Sequence, residues 1–213
     1  MRLHLLLGLF VGILIGMNLL GNKITTLMGV SVSVGIFLVP LTFLITDIVE
    51  EVYGKEMVKH FIISGVAAII VMFFFTGFFV WLEPNARFPY NPEYTTIFAS
   101  SMRIMAASVV AFVLAQLHDM WSFAFWKERT KGKHLWLRNN LSTWVSQAID
   151  TFVFMTIAFY HVAPKFTFGF IIELAIPYYL FKLAFAVLDT PFVYLGVAWL
   201  RGTTPNGDQR MSS

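Results

Sequence analysis

Six long apolar stretches constrain the fold of this chain more than any other feature. They cover residues 3–20, 27–49, 61–82, 97–126, 141–161 and 170–200. An α-helix needs about 20 predominantly apolar residues to cross the hydrocarbon core of a bilayer. We therefore predict an all-α polytopic membrane protein in which six transmembrane helices form one bundle.

The composition supports this class. Apolar residues make up 58% of the 213 residues and charged residues 13%, whereas soluble domains carry about 25% charged residues. We expect one transmembrane domain over 1–202 and a polar, disordered tail over 203–213. The small net charge of +3, without a long basic tract, argues against nucleic-acid binding. The chain has no cysteine and no histidine pair at metal-ligand spacing, so we expect no metal and no cofactor.

Positive charge predicts the orientation. Lys and Arg residues concentrate in the connections that would lie on one side of the membrane, above all between 127 and 138. Because cytoplasmic loops carry an excess of Lys and Arg, both termini are predicted to be cytoplasmic.

Two patterns bear on helix packing. Pro177 and Pro191 predict a kink or a break in the sixth span. Gly8, Gly12 and Gly16 form a stripe of small residues in the first span, and such a stripe lets another helix approach closely. The expected partner is a helix of the same bundle, and the alternative is another subunit.

Asp150 is the most unusual residue of the apolar stretches. It lies near the middle of the fifth span, where a carboxylate is costly and is rarely retained without a partner or a function. Gln147 precedes it by three residues, so a helix places both on one face. An acceptor-only carboxylate beside an amide predicts a site that holds a polar molecule within the membrane.

Other charged residues at membrane depth leave alternatives open. Lys182, in the sixth span, either contributes to the site or forms a buried pair with an aspartate that only fixes helix packing. Asp47 either belongs to the site or is an interfacial charge in contact with water. Glu173 either belongs to the site or flanks its helix at the outer surface.

Several segments resemble the queuosine precursor transporter family, also called the VUT or YhhQ family. The most specific is VPLTFLITDIVEEVYGK at 39–55, with its Thr-Asp-x-x-x-Glu-x-Tyr-Gly block. Further blocks lie at 137–143, 146–151, 173–175 and 178–182, and Asn22-Lys23 also fits. The resemblance covers about residues 8–200.

The resemblance implies a multi-pass importer in the cell inner membrane that is not an enzyme. Its purine-like substrates would be 7-cyano-7-deazaguanine and 7-aminomethyl-7-deazaguanine, precursors of a modified tRNA base. The charged intramembrane residues of the family carry over to Asp47, Asp150, Glu173 and Lys182. The predicted substrate-binding residues are Asp150, Gln147, Lys182, Glu173, Asp47, Asn22, Gln116 and Tyr178. A homodimer is possible under this interpretation.

Two other classes compete with this interpretation. A substrate-binding subunit of an energy-coupling-factor vitamin transporter also has six helices, and it needs ATPase coupling subunits as partners. An intramembrane enzyme would need a nucleophile with its base, a carboxylate pair or a metal, and neither Asp47 nor Asp150 has a typical protease context.

Overall fold

The computed structural model of the chain describes residues 1–27, 29–130, 135–188 and 190–202. Within helices, the side chains of 116, 119, 120, 123, 124, 127, 135–143, 186, 187 and 190 lie outside the described part. The expected tail at 203–213 also lies outside it. The described residues form the helices α1 (Arg2–Leu20), α2 (Val39–Tyr53), α3 (Lys55–Trp81), α4 (Asn91–Arg129), α5 (Leu135–Phe159), α6 (Phe168–Leu188) and α7 (Thr190–Arg201).

Among the described residues, four helices contain a stretch long and apolar enough to cross a membrane. These stretches are Arg2–Leu20 in α1, Lys55–Trp81 in α3, Asn91–Ala115 in α4 and Phe168–Phe185 in α6. A shorter apolar stretch, Trp144–Phe159, lies in α5. The prediction of a helical, multi-pass membrane protein is confirmed, whereas six spans and cytoplasmic termini stay predictions. The third, fourth and fifth helices each begin about one and a half turns before the apolar stretch that predicted them.

The second predicted span, 27–49, is wrong as a single helix. Strands β1 (Ile24–Leu27) and β2 (Val30–Ser33) form an antiparallel hairpin, with Ile24 opposite Ser33. A short 3-10 turn, Val34–Phe37, connects the hairpin to α2. β-branched Ile, Thr and Val residues favour extended backbone, and Gly29 turns the chain with a φ of 83°, in the left-handed region.

Paired strands explain how this hairpin fits a membrane bundle. Backbone N–H and C=O groups away from water must bond within the protein, and each strand supplies partners for the other. The hairpin is buried at the end next to the 3-10 turn, at Val32 and Ser33, while Leu27 and Val30 near its tip are exposed. The expected all-α architecture therefore holds except for these eight residues.

α6 is described as far as Leu188 and α7 from Thr190, with Pro191 as the second residue of α7. Residue 189 lies outside the described part, so the kink or break that the prolines predict in the sixth span stays a prediction. Pro177 lies inside α6, which continues through it.

Two apolar clusters make up the core. One joins β2, the 3-10 turn, the start of α2, α4, α5 and α6, and includes Val32, Ile36 and Met155. The other joins α1, the rest of α2, α3 and α7, and includes Val49 and Phe61. α2 therefore connects the two clusters, and α6 and α7 contribute to different ones.

Close contacts hold α7 against α1 and α2. A Cβ at Gly196 would lie 2.1 Å from Cδ1 of Ile48, so only glycine permits this approach of α7 to α2. Arg201 Nη2 lies 3.2 Å from Glu51 Oε1. Arg2 of α1 donates to the carbonyl of Trp199 and lies over its ring. Glu51 is exposed, as expected of an interfacial charge.

The expected packing of the glycine stripe within the bundle is wrong for its first two residues. A Cβ at Gly8 or Gly12 would meet no atom within 4 Å, and one at Gly16 would meet only Leu38 Cδ1, at 4.0 Å. In the described part of the chain, this face of α1 therefore remains uncovered.

Candidate functional site

A cavity of about 390 Å³ is lined by residues of α1 to α6. Its lining includes Phe10 from one apolar cluster and Tyr178 from the other. Small-molecule pockets typically measure about 300–1,000 Å³ and are mostly apolar, with a few placed polar groups. The polar residues that line this cavity are Asn18, Ser33, Thr42, Ser108, Ser146, Gln147, Asp150, Tyr178 and Lys182. The cavity suits one small, partly polar molecule.

Helix periodicity brings the central polar residues together. Gln147, Asp150 and Phe154 follow one another along a single face of α5, at spacings of three and four residues. Tyr178 and Lys182 are four residues apart on α6 and face the same cavity. The predicted grouping of Gln147, Asp150, Lys182 and Tyr178 in one cavity is what the structure contains.

An ion pair connects the two helices. Lys182 Nζ lies 2.7 Å from Asp150 Oδ2. The Lys182 side chain is 9% exposed and the Asp150 side chain 26%, so the carboxylate is the partner that faces the cavity. Lys182 Nζ also lies 5.6 Å from the ring centre of buried Tyr178, within the range of a cation–π interaction. The ammonium is therefore held from two sides.

The side-chain oxygen of Gln147 is an unsatisfied acceptor. Oε1 is buried and has no hydrogen-bond partner in the described structure. A buried acceptor without a donor costs about 1–3 kcal/mol. Because Gln147 lines the cavity, a bound molecule with an N–H group would remove this cost.

A second polar pair, Asn18 and Ser108, was missed by the sequence reasoning. Asn18 is 1% exposed, and its Oδ1 accepts a hydrogen bond from Ser108 Oγ at 2.6 Å. Its Nδ2 donates to the carbonyl of Leu14 at 2.8 Å. The available signal was the amide itself, which stands alone in the apolar stretch 3–20.

His118 of α4 contacts a residue of α5 that lines the cavity. Ser146, which precedes Gln147 and lines the cavity, is buried, and its Oγ lies 3.0 Å from Nδ1 of His118 on α4. This contact restrains the turn of α5 that carries Gln147 and Asp150.

Four other predicted site residues are not placed in the cavity lining. Asn22 donates to Ile97 O and Ser101 Oγ, each at 3.2 Å, and so ties the end of α1 to α4. Asp47 and Glu173 are exposed and do not line the cavity. The side chain of Gln116 lies outside the described residues. Within the described part, no group of three His, Asp or Glu residues could hold a metal ion.

These features define a multi-pass membrane protein with a small-molecule cavity inside its helical bundle. Residues 33–196 match the family described as "Putative vitamin uptake transporter". Because the match spans most of the chain, the chain belongs to this family.

Named relatives agree with the family. The "Probable queuosine precursor transporter" of Bacillus subtilis (strain 168) is 29% identical over 192 residues, which cover 88% of this chain and 82% of the relative. The "Queuosine precursor transporter" of Escherichia coli (strain K12) is 25% identical over 175 residues, covering 80% and 75%. These names denote transporters and confirm the predicted family and the prediction that the chain is not an enzyme. No solved structure matches the chain.

Proposed function

We propose that this protein imports the queuosine precursors 7-cyano-7-deazaguanine and 7-aminomethyl-7-deazaguanine across the cell inner membrane. The relatives named as queuosine precursor transporters support this substrate class. The cavity supports it independently, because its volume of about 390 Å³ suits a molecule of the size of a modified base.

The unsatisfied oxygen of Gln147, one helical turn from Asp150, is the observation that carries the proposal. A guanine-like ring presents adjacent N–H donors and a neighbouring carbonyl acceptor. Asp150 accepts from the adjacent donors in a bidentate, charge-assisted arrangement, which is strong and directional. Gln147 Oε1 accepts from a further N–H, and the Lys182 ammonium donates to the carbonyl.

Aromatic side chains complete this binding mode. Phe154 of α5 and Tyr178 of α6 also line the cavity, and flat bases stack on such rings. A molecule without the donors of guanine would leave Asp150 and Gln147 unpaired in the cavity, which is the strongest known basis for rejecting an analogue.

Substrate binding changes the partner of Asp150. In the structure the Lys182 ammonium pairs with this carboxylate at 2.7 Å. When a substrate occupies the carboxylate, Lys182 turns to the carbonyl of the ring, so that neither charge is left unpaired. Access then alternates through movement of one part of the bundle against the other, with α6, which carries Pro177 and Lys182, as the moving element.

Uptake into liposomes that contain only this protein tests the proposal. Labelled 7-cyano-7-deazaguanine is supplied outside, with and without a pH gradient, and empty liposomes are the control. We expect accumulation that unlabelled precursor competes away and that adenine does not. A dependence on the gradient would identify proton coupling, and no uptake under either condition would contradict the proposal.

One observation favours a second candidate, the substrate-binding subunit of an energy-coupling-factor vitamin transporter. The face of α1 at Gly8 and Gly12 is uncovered, and glycines at this spacing allow a helix of a partner to approach closely. This candidate predicts substrate binding without uptake in the same liposomes, and co-purification with an ATPase from the native membrane.

A further inference from the structure

Asn18 is a buried amide whose hydrogen-bonding capacity is half used. An asparagine side chain offers two donors and two acceptor lone pairs. In the described structure one donor bonds to Leu14 O and one lone pair accepts from Ser108 Oγ. One donor and one acceptor therefore remain on a side chain that is 1% exposed and lines the cavity.

Asn18 is also rigidly placed. Its two hydrogen bonds, at 2.8 and 2.6 Å, fix the amide to the backbone of α1 and to a hydroxyl on α4. Neither helix carries Asp150 or Lys182, which belong to α5 and α6. The cavity therefore has polar groups on two different helix pairs, α1 with α4 and α5 with α6, and apolar residues such as Leu14 and Ile104 also line it.

We infer that Asn18, held by Ser108, is a specificity-determining residue that binds the substituent at position 7 of the substrate. The inference rests on the proposed function. If Asp150 and Gln147 bind the donor edge of the six-membered ring, the five-membered ring with its position-7 group extends away from them, and we place this group at the polar residues of α1 and α4. There the nitrile accepts the unused Nδ2–H, or the aminomethyl ammonium donates to the unused lone pair of Oδ1.

This arrangement explains how one cavity takes both precursors. The two substituents differ in hydrogen-bond polarity, since a nitrile only accepts and an ammonium only donates. A primary amide offers both functions without a change of charge. A carboxylate or an ammonium at position 18 would suit only one of the two precursors.

Competition uptake in liposomes tests the inference. Labelled 7-cyano-7-deazaguanine competes with unlabelled 7-deazaguanine, which lacks the substituent, and the ratio of their apparent affinities is the readout. We expect Asn18→Leu to reduce this ratio about fivefold or more, the effect of one lost hydrogen bond. Asn22→Leu is the matched control, because Asn22 also ties α1 to α4 but does not line the cavity, and its ratio should equal that of the wild type.

Asn18→Asp should change which of the two precursors the protein prefers. A purely structural role of Asn18 does not predict such a change. The carboxylate cannot donate to a nitrile and attracts an ammonium, so preference should shift about tenfold toward 7-aminomethyl-7-deazaguanine. If Asn18→Leu does not fold, Ser108→Ala takes its place in the test. Ser108→Ala releases the Asn18 amide from its hydrogen bond, and it should lower the ratio of apparent affinities for 7-cyano-7-deazaguanine and 7-deazaguanine, as expected for Asn18→Leu.

The outcomes separate the two proposals. Wild-type ratios in Asn18→Leu, Asn18→Asp and Ser108→Ala, with normal uptake by the wild type, would overturn this inference alone and leave Asn18 as a tie between helices. No uptake of either precursor by the wild-type protein would overturn the proposed function and this inference with it.

Discussion

Lys182 and Asp150 lie on different helices, and their charged groups are 2.7 Å apart at the wall of the cavity. The ammonium is the more buried partner, and the carboxylate is the more exposed one. Such an arrangement keeps a charged acceptor available to a ligand while its counter-ion remains fixed. The pair therefore serves both the stability of the bundle and, in the proposed function, substrate binding.

Removing one partner of this pair should destabilise the protein more than removing both. Lys182→Met leaves an unpaired carboxylate, and we expect a loss of up to about 3 kcal/mol in the free energy of unfolding. The double variant Lys182→Met/Asp150→Leu should recover most of this loss and still fail in uptake. Thermal unfolding in detergent measures the first effect, and equal destabilisation in both variants would contradict the coupling.

Gln147→Leu should separate stability from function. The substitution removes a buried acceptor that has no partner, so the melting temperature should be unchanged or higher. Uptake should fall at least about tenfold, because a bound N–H group loses its acceptor.

Thr151→Val is the matched control for Gln147→Leu. Its Oγ1 is also buried without a partner in the described structure, but Thr151 does not line the cavity. The two variants should behave alike in thermal unfolding and differ in uptake. Equal uptake by both would remove Gln147 from the binding site.

Gly196→Ala should loosen the packing of α7 on α2. The added methyl group would lie 2.1 Å from Ile48 Cδ1 and 2.6 Å from Cγ1, and overpacking of this kind costs about 1–3 kcal/mol. Gly12→Ala is the control, because its methyl group would meet no atom within 4 Å. Adding Ile48→Val, which removes Cδ1, should restore part of the stability, and a double-mutant cycle measures the recovery.

The sequence predicted the helical part of the fold well where one physical requirement dominated. Apolar length alone located α1, α3 and the apolar parts of α4 and α6. The hairpin at 24–33 was missed because Val, Ile and Leu are apolar in either conformation, and length suggested a helix.

The candidate site was only partly predictable. Gln147, Asp150, Tyr178 and Lys182 meet because helical spacing fixes which residues of α5 and α6 share a face. The exposed positions of Asp47 and Glu173, and the burial of Asn18, depend on how each helix is rotated in the bundle. Rotation is decided by contacts between distant segments, which one sequence does not reveal.

Uptake by the Asp150→Asn variant tests the central claim most directly. Asparagine has nearly the same shape as aspartate and retains an acceptor for Lys182, but it lacks the charge and the second acceptor oxygen. The account predicts a folded protein, less stable than the wild type because Lys182 loses its counter-charge, that at equal abundance in liposomes does not take up 7-cyano-7-deazaguanine. Glu56→Gln provides the same chemical change in an exposed pair with Lys59 and should transport normally. Wild-type uptake by Asp150→Asn would contradict the account.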